Sequence, residues 1–243
     1  DGDGQPNLYP EGVVGFFPSF SPGGRHIIGG AAGQLVIRDA STGIETERLP
    51  LPDMLIGGSP DWSWQGDRIV ATVGNSLNSG FGDLLGNFFG GGGASAPPGL
   101  DVNMDDQGPI NGRIAQWHRI EDTWSMPEIL VDAVDMSSND KPAYAPDGRF
   151  IAFNRTGPDP NQNNGQNEVS QLWIVDSNSG QAMPLERANQ DSGLGNSWPK
   201  WAPDRGGARL WLAFSSLRNY GKVVLNDGRD EKVPQIWITA IDP

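Results

Sequence analysis

A short pattern occurs four times along this chain, and no other feature constrains its fold as tightly. It is carried by Phe17-Pro18-Ser19-Phe20-Ser21-Pro22-Gly23-Gly24, Ser59-Pro60-Asp61-Trp62-Ser63-Trp64-Gln65-Gly66, Lys141-Pro142-Ala143-Tyr144-Ala145-Pro146-Asp147-Gly148 and Trp198-Pro199-Lys200-Trp201-Ala202-Pro203-Asp204-Arg205-Gly206. Each copy reads proline, any residue, an aromatic, then serine or alanine, and runs into a turn rich in Pro, Asp and Gly. Proline presets φ, aspartate bonds the nearby backbone and glycine accepts positive φ, so this composition reverses the chain tightly. A β-rich run follows every time: Arg25–Gly29, Arg68–Val73, Arg149–Phe153 and Arg209–Phe214. A third run comes next, over Gln34–Asp39, Arg113–Arg119, Gln171–Asp176 and Gln235–Ala240. Two of these lead into the turns Ser41-Thr42-Gly43 and Asn178-Ser179-Gly180. Short fourth strands are expected over Glu45–Leu49, Pro127–Val131 and Gln181–Leu185.

Four short strands per unit, regular turns and almost no helical periodicity predict an all-β chain, a β-propeller of four-stranded antiparallel blades. Four blades are visible. The expected organisation is an N-terminal segment over residues 1–14, offered as a closing strand, and a propeller over 15–243. Its blades fall at about 15–50, 58–131, 140–187 and 197–243, with insertions at 74–112, 155–170 and 217–234. The anchor prolines at 18, 60, 142 and 199 are 42, 82 and 57 residues apart. The first spacing is an ordinary propeller repeat of about 40–45 residues. The excess in the other two, and in the last unit, lies between second and third strands. Such loops leave an up-and-down blade on one face, which they would decorate together.

The repeat resembles that of the TolB-like propellers, whose hallmark is Trp/Phe-Ser-Pro-Asp-Gly, a strand, and then an apolar strand ending near Asp. Within this chain Ala145-Pro146-Asp147-Gly148-Arg149-Phe150-Ile151-Ala152-Phe153 matches it best, and the second unit departs with Trp64-Gln65-Gly66-Asp67 at the turn. The resemblance runs from about Gly15 onward. Trp198–Pro203, Phe214-Ser215-Ser216 and Gln235-Ile236-Trp237 are also similar to secreted bacterial propellers, some with a haem-type Cys-x-x-Cys-His segment that has no match here. The resemblance implies a propeller serving as a binding module, an assembly factor or an accessory domain of a hydrolase, in a periplasmic, secreted or cell-surface setting.

Composition narrows the function classes. The net charge of −13 disfavours nucleic acid and anionic membrane as partners, since both reward clustered Lys and Arg. Cysteine is absent, which excludes disulfides, thiolate nucleophiles and Cys-ligated zinc. Apolar runs are only a few residues long, so no direct membrane insertion is expected. His26 and His118 are the two histidines, in different units, too few for an ordinary zinc site. There is no Gly-x-Ser-x-Gly elbow and no Walker or dinucleotide motif. A glycosidase carboxylate pair is tested by spatial separation, which a sequence does not hold.

Three groups stand out as candidate sites. Phe81, Leu84, Leu85, Phe88 and Phe89, at helical spacing amid glycine, would dock a partner or fold down onto the sheets. Asp101, Asn103 and Asp105 place oxygen ligands at alternate positions, the manner of a calcium loop, though without an EF-hand's glycine and glutamate. Asp159–Gly165 is a less charged version of it. Calcium is the one cofactor considered. Phe17, Ser59, Lys141 and Trp198 each precede an anchor proline, and so occupy equivalent positions around a channel mouth. Trp173, Trp211 and Trp237 are expected to pack between sheets.

The last unit ends after its third strand. Residues 7–14, a longer polypeptide or a neighbouring chain would supply the fourth, and a piece of a larger ring is preferred because open β edges invite aggregation. The function expected is a non-catalytic extracytoplasmic module that binds a protein partner or belongs to a larger assembly. The rival reading is a hydrolase acting on glycans or peptides in the central channel.

Overall fold

The computed structural model describes residues 17–31, 33–53, 55–75, 110–134, 137–157, 170–190, 195–203, 208–218 and 234–242. These form four antiparallel sheets in chain order, with one helical turn. The first sheet contains β1 (Ser19–Phe20), β2 (His26–Ala31), β3 (Gln34–Asp39) and β4 (Glu45–Arg48). The second contains β5 (Leu55–Trp62), β6 (Arg68–Asn75), β7 (Ile110–Ile120), β8 (Thr123–Trp124) and β9 (Glu128–Val131), the last two both pairing with β7. The third contains β10 (Ser138–Tyr144), β11 (Phe150–Thr156), β12 (Gln171–Asp176) and β13 (Ala182–Pro184), followed by α1 (Glu186–Asn189). The fourth contains β14 (Ser197–Trp201), β15 (Leu210–Ser216) and β16 (Gln235–Ile241).

Local chemistry explains the reversals. In the first three units glycine closes the β1–β2-type turn, with the amides of Gly24, Gly66 and Gly148 donating to Ser21, Ser63 and Ala145 oxygens at 2.7–3.0 Å. Their φ values of 67°, 77° and 70° lie where a side chain is strained. After the third strands, Asp39 and Asp176 cap the next turn. Asp39 Oδ1 accepts the amides of Ser41 and Thr42 at 3.0 and 2.9 Å, and Asp176 Oδ1 those of Asn178 and Ser179 at 3.0 and 3.1 Å.

Successive sheets pack face to face, each pair around its own apolar cluster. Ile28, Leu35 and Ile37 meet Ile69, Ala71 and Trp117 between the first two sheets. Val70 and Ile114 meet Ile151, Phe153 and Val175 between the next two, and Ala152 and Leu172 meet Leu212 and Phe214 between the last two. The first interface is close enough that a Cβ on Gly57 would lie 2.7 Å from Leu35, while the Gly57 amide donates to the Gly33 oxygen at 2.9 Å. Polar groups reinforce the others. Arg68 donates to Ser177 Oγ and to the Gly148 carbonyl at 3.0 and 2.8 Å, and Trp201 Nε1 donates to the Ala143 carbonyl at 2.9 Å.

Three features differ from the sequence expectation or add to it. Trp173 and Trp237 pack against the second and third clusters, but Trp211 is 46% exposed. It lies on the outer face of the fourth sheet with Ile236 and Ile238, 83% and 66% exposed, where no further sheet packs among the described residues. The β8 hairpin and α1 were not anticipated. Such short elements carry too little periodicity to register. α1 nevertheless contributes Ala188 to the third cluster, and Asn189 bonds both backbone groups of Leu172.

The Asp176 turn has a pH signature. Hydrogen bonds from Arg149, Asn178 and Ser179 lower its pKa from 3.8 to about 2. A lowered folded-state pKa contributes stability above the unfolded value that is lost as pH falls through the folded one. Asp176→Asn should therefore lower the urea midpoint at pH 7. The gap from wild type should close as pH falls from about 3.8 toward about 2.

Candidate functional site

In the second, third and fourth units the innermost strand carries the same irregularity. The register against the neighbouring strand slips between Gly58 and Asp61, between Asp140 and Ala143, and between Ser197 and Lys200. Three residues on β5, β10 and β14 span what two span on the partner, so each holds one extra residue, a β-bulge. The bulge falls on the anchor dipeptide, where proline has no N–H to withdraw from the ladder.

The residue before each proline adopts positive φ: 57° at Phe17, 47° at Ser59, 53° at Lys141 and 57° at Trp198. That conformation favours glycine and costs other residues about 1–3 kcal/mol. No unit uses glycine there. The four side chains instead border one cleft of about 190 Å³, together with the four anchor prolines and Lys200. Phe17 and Trp198 meet edge to face with ring centroids 4.7 Å apart. Lys141 Nζ stands 4.4 Å from the centroid of Trp198 and 6.0 Å from that of Phe17, within cation–π reach of both.

Two aspartates that sequence reasoning did not single out hold this arrangement. Asp140 Oδ1 accepts from Ser59 Oγ at 3.2 Å, Thr72 Oγ1 at 3.1 Å and the Lys141 amide at 2.7 Å, and Oδ2 lies 3.0 Å from Lys141 Nζ. Ser59 thus ties the second sheet to the third as well as lining the cleft. One step along the strands, the residues after the prolines are Ser19, Asp61, Ala143 and Lys200. Asp61 Oδ1 accepts from Ser19 Oγ at 2.8 Å and Oδ2 from the Tyr144 amide at 2.9 Å, while Lys200 Nζ stands 3.8 Å away. Burial pushes the Asp61 carboxyl above its ordinary pKa, against the opposing pull of Lys200 and these hydrogen bonds. The one available signal was position: Asp61 is the residue after an anchor proline.

A second cavity of about 300 Å³ opens beside Asp61, toward the turns, with lining residues from all four units. A third, of about 270 Å³, lies between the last two sheets and is bordered by Lys141 and Trp198. The apolar set Phe81, Leu84, Leu85, Phe88 and Phe89, the oxygen set Asp101, Asn103 and Asp105, and Asp159–Gly165 lie outside the described residues. Among the described residues no group of three or more His, Cys, Asp or Glu could hold a metal ion. His118 Nε2 lies 3.4 Å from Glu128 Oε2, on the exposed side of the second sheet.

No protein-family model matches the chain, and no curated protein matches it. Among solved structures, TolB from Acinetobacter baumannii is similar at 17% identity and a TM-score of 0.45, over 82% of this chain and 39% of that one. An oligogalacturonate lyase from Vibrio parahaemolyticus is similar at 16% identity and a TM-score of 0.49, over 83% of this chain and 46% of that one. The chain therefore spans less than half the length of either. Likeness at this level assigns no activity, and the chemistry of the site has to carry the functional reading.

The backbone strain at the cleft can be measured. Ser59→Gly and Ser59→Ala both lose the bond to Asp140, but only glycine relieves the positive φ. Ser59→Gly should be the more stable by about 1 kcal/mol in urea denaturation. In an ordinary strand position alanine exceeds glycine by roughly 0.5–1 kcal/mol, so the sign is diagnostic.

Proposed function

We propose that the four sheets are blades of a β-propeller and that the chain is a non-catalytic protein-binding module. Its docking point is the mouth formed by Phe17, Ser59, Lys141 and Trp198. One observation carries this reading: in every unit the backbone position that favours glycine is occupied by a larger residue, and all four border one cleft. Strain retained at equivalent positions, where side chains converge, is characteristic of sites that recognise a ligand.

The mouth presents two aromatic rings and the lysines 141 and 200, with no carboxylate in its lining among the described residues. Within a chain of net charge −13 this is an apolar spot bordered by two ammonium groups, Lys141 paired with Asp140 and Lys200 loosely with Asp61. It suits a partner segment that offers a carboxylate beside an apolar side chain. The non-catalytic reading is supported by the two nearby carboxylates, since Asp61 and Asp140 each have both oxygens engaged by neighbouring residues. Membership of a larger assembly is supported by the exposure of Trp211, Ile236 and Ile238. The extracytoplasmic placement rests on the repeat resemblance and on the acidic composition; among the described residues no helix is long and apolar enough to cross a membrane.

The test is selection of displayed peptides on the immobilised protein, followed by fluorescence anisotropy with those enriched. Trp198→Ala or Lys141→Ala should weaken binding about tenfold or more, as truncation of a central anchor does. Binding that survives both substitutions but is lost on removal of residues 76–110 would move the docking point to that insertion. Turnover of a glycan or peptide, seen as product release, would overturn the non-catalytic reading.

A further inference from the structure

We propose that the cavity beside Asp61 is a binding site for an organic cation, the ammonium group of a peptide lysine, of a peptide N-terminus or of a small amine. The site is separate from the mouth, lying further along the same strands toward the turns. It shares Lys200 with the mouth.

Its walls include Phe20, Trp64 and Trp201, and its polar lining includes Asp61, Ser19 and Ser63, with Lys200 also on the border. The Asp61 side chain is 18% exposed, and its compensating charge is incomplete. Ser19 and Tyr144 supply neutral donors, and Lys200 stands 3.8 Å away, beyond hydrogen-bond length, on a side chain 66% exposed. A partly buried carboxylate faced by a loosely held lysine retains attraction for a better-placed cation. A ligand ammonium that reaches Asp61 makes a charge-assisted bond of about 2.7–2.9 Å. Its carbon chain then lies against aromatic faces, which attract cations and exclude water. About 300 Å³ accommodates a lysine side chain or a comparable alkylammonium. A metal ion is a poor match, because calcium and magnesium need several oxygen ligands and the cavity offers a single carboxylate among the described residues.

Lys200 makes the proposal sharply testable, because it competes with the ligand for Asp61. Binding is followed by calorimetry on the full chain with three probes. Nα-acetyl-lysine methylamide carries only a side-chain ammonium, alanine methylamide only a backbone ammonium, and Nα-acetyl-norleucine methylamide none. One or both ammonium probes should bind, with the stronger identifying the source, and the norleucine probe should bind at least tenfold more weakly. Asp61→Asn should weaken the ammonium probes about tenfold or more. Lys200→Ala should tighten them severalfold, whereas the same substitution should weaken a carboxylate-bearing peptide at the mouth. The opposite signs separate failure of this site from failure of the mouth. Equal binding of the neutral probe, no binding of either ammonium probe, or unchanged or weaker ammonium binding in Lys200→Ala would each overturn the proposal. Should Asp61→Asn not fold, the Lys200→Ala comparison and the neutral probe decide the matter.

Discussion

The architecture depends on an extra residue in the innermost strands of its second, third and fourth units. The bulge at the anchor dipeptide interrupts the two-residue alternation that otherwise sends side chains to opposite faces of a sheet. Proline makes the interruption inexpensive, since it has no amide hydrogen to leave unpaired. The residue before it is then driven to positive φ, and its side chain borders the cleft shared with the other three units. All four units share the positive φ, and the second, third and fourth share the bulge. The cleft is thus a consequence of the repeat, while its chemistry is set by which four residues fill one repeated position.

Charge gives the assembly its internal polarity. Two aspartates, each on an innermost strand, bond across sheet boundaries: Asp61 to Ser19 and Tyr144, Asp140 to Ser59 and Thr72. Neighbouring sheets are held to one another by these partly buried acceptors as well as by apolar packing. The same groups position the two lysines. Lys141 is drawn to Asp140 at 3.0 Å and held under the aromatic rings, whereas Lys200 stands off Asp61 at 3.8 Å and remains exposed. One strand position yields a tightly held cation and the other a loosely held one.

The parts legible in the sequence are those whose cause is local. The Ala145-Pro146-Asp147-Gly148 turn shows itself because its bond runs from Gly148 to Ala145, three residues away. The strand over Gln171–Asp176 shows itself through its own apolar run and the Asx-capped turn that follows. Equivalence of Phe17, Ser59, Lys141 and Trp198 is legible too, because it follows from alignment of the repeat. The roles of Asp61 and Asp140 are not legible, since Tyr144 and Ser59 lie 83 and 81 residues away from them in the chain. Trp211 is another instance: its strand pattern resembles that of any covered sheet, and only the absence of a covering sheet among the described residues leaves it exposed.

By itself, then, the sequence determined a four-fold repeat of short antiparallel strands, the turns that join them and the set of residues that would meet if the units were arranged about an axis. Those features follow from backbone preferences and short-range hydrogen bonds, which each unit carries within itself. Tertiary structure alone decided that the pre-proline residues take positive φ, that Lys141 lies 4.4 Å from the Trp198 ring centroid and that Asp61 borders the second cavity. The physical reason is distance along the chain. The positive φ depends on how strands pair within a unit and the other two facts on groups from different units, so their energies exist only once the sheets have formed and packed.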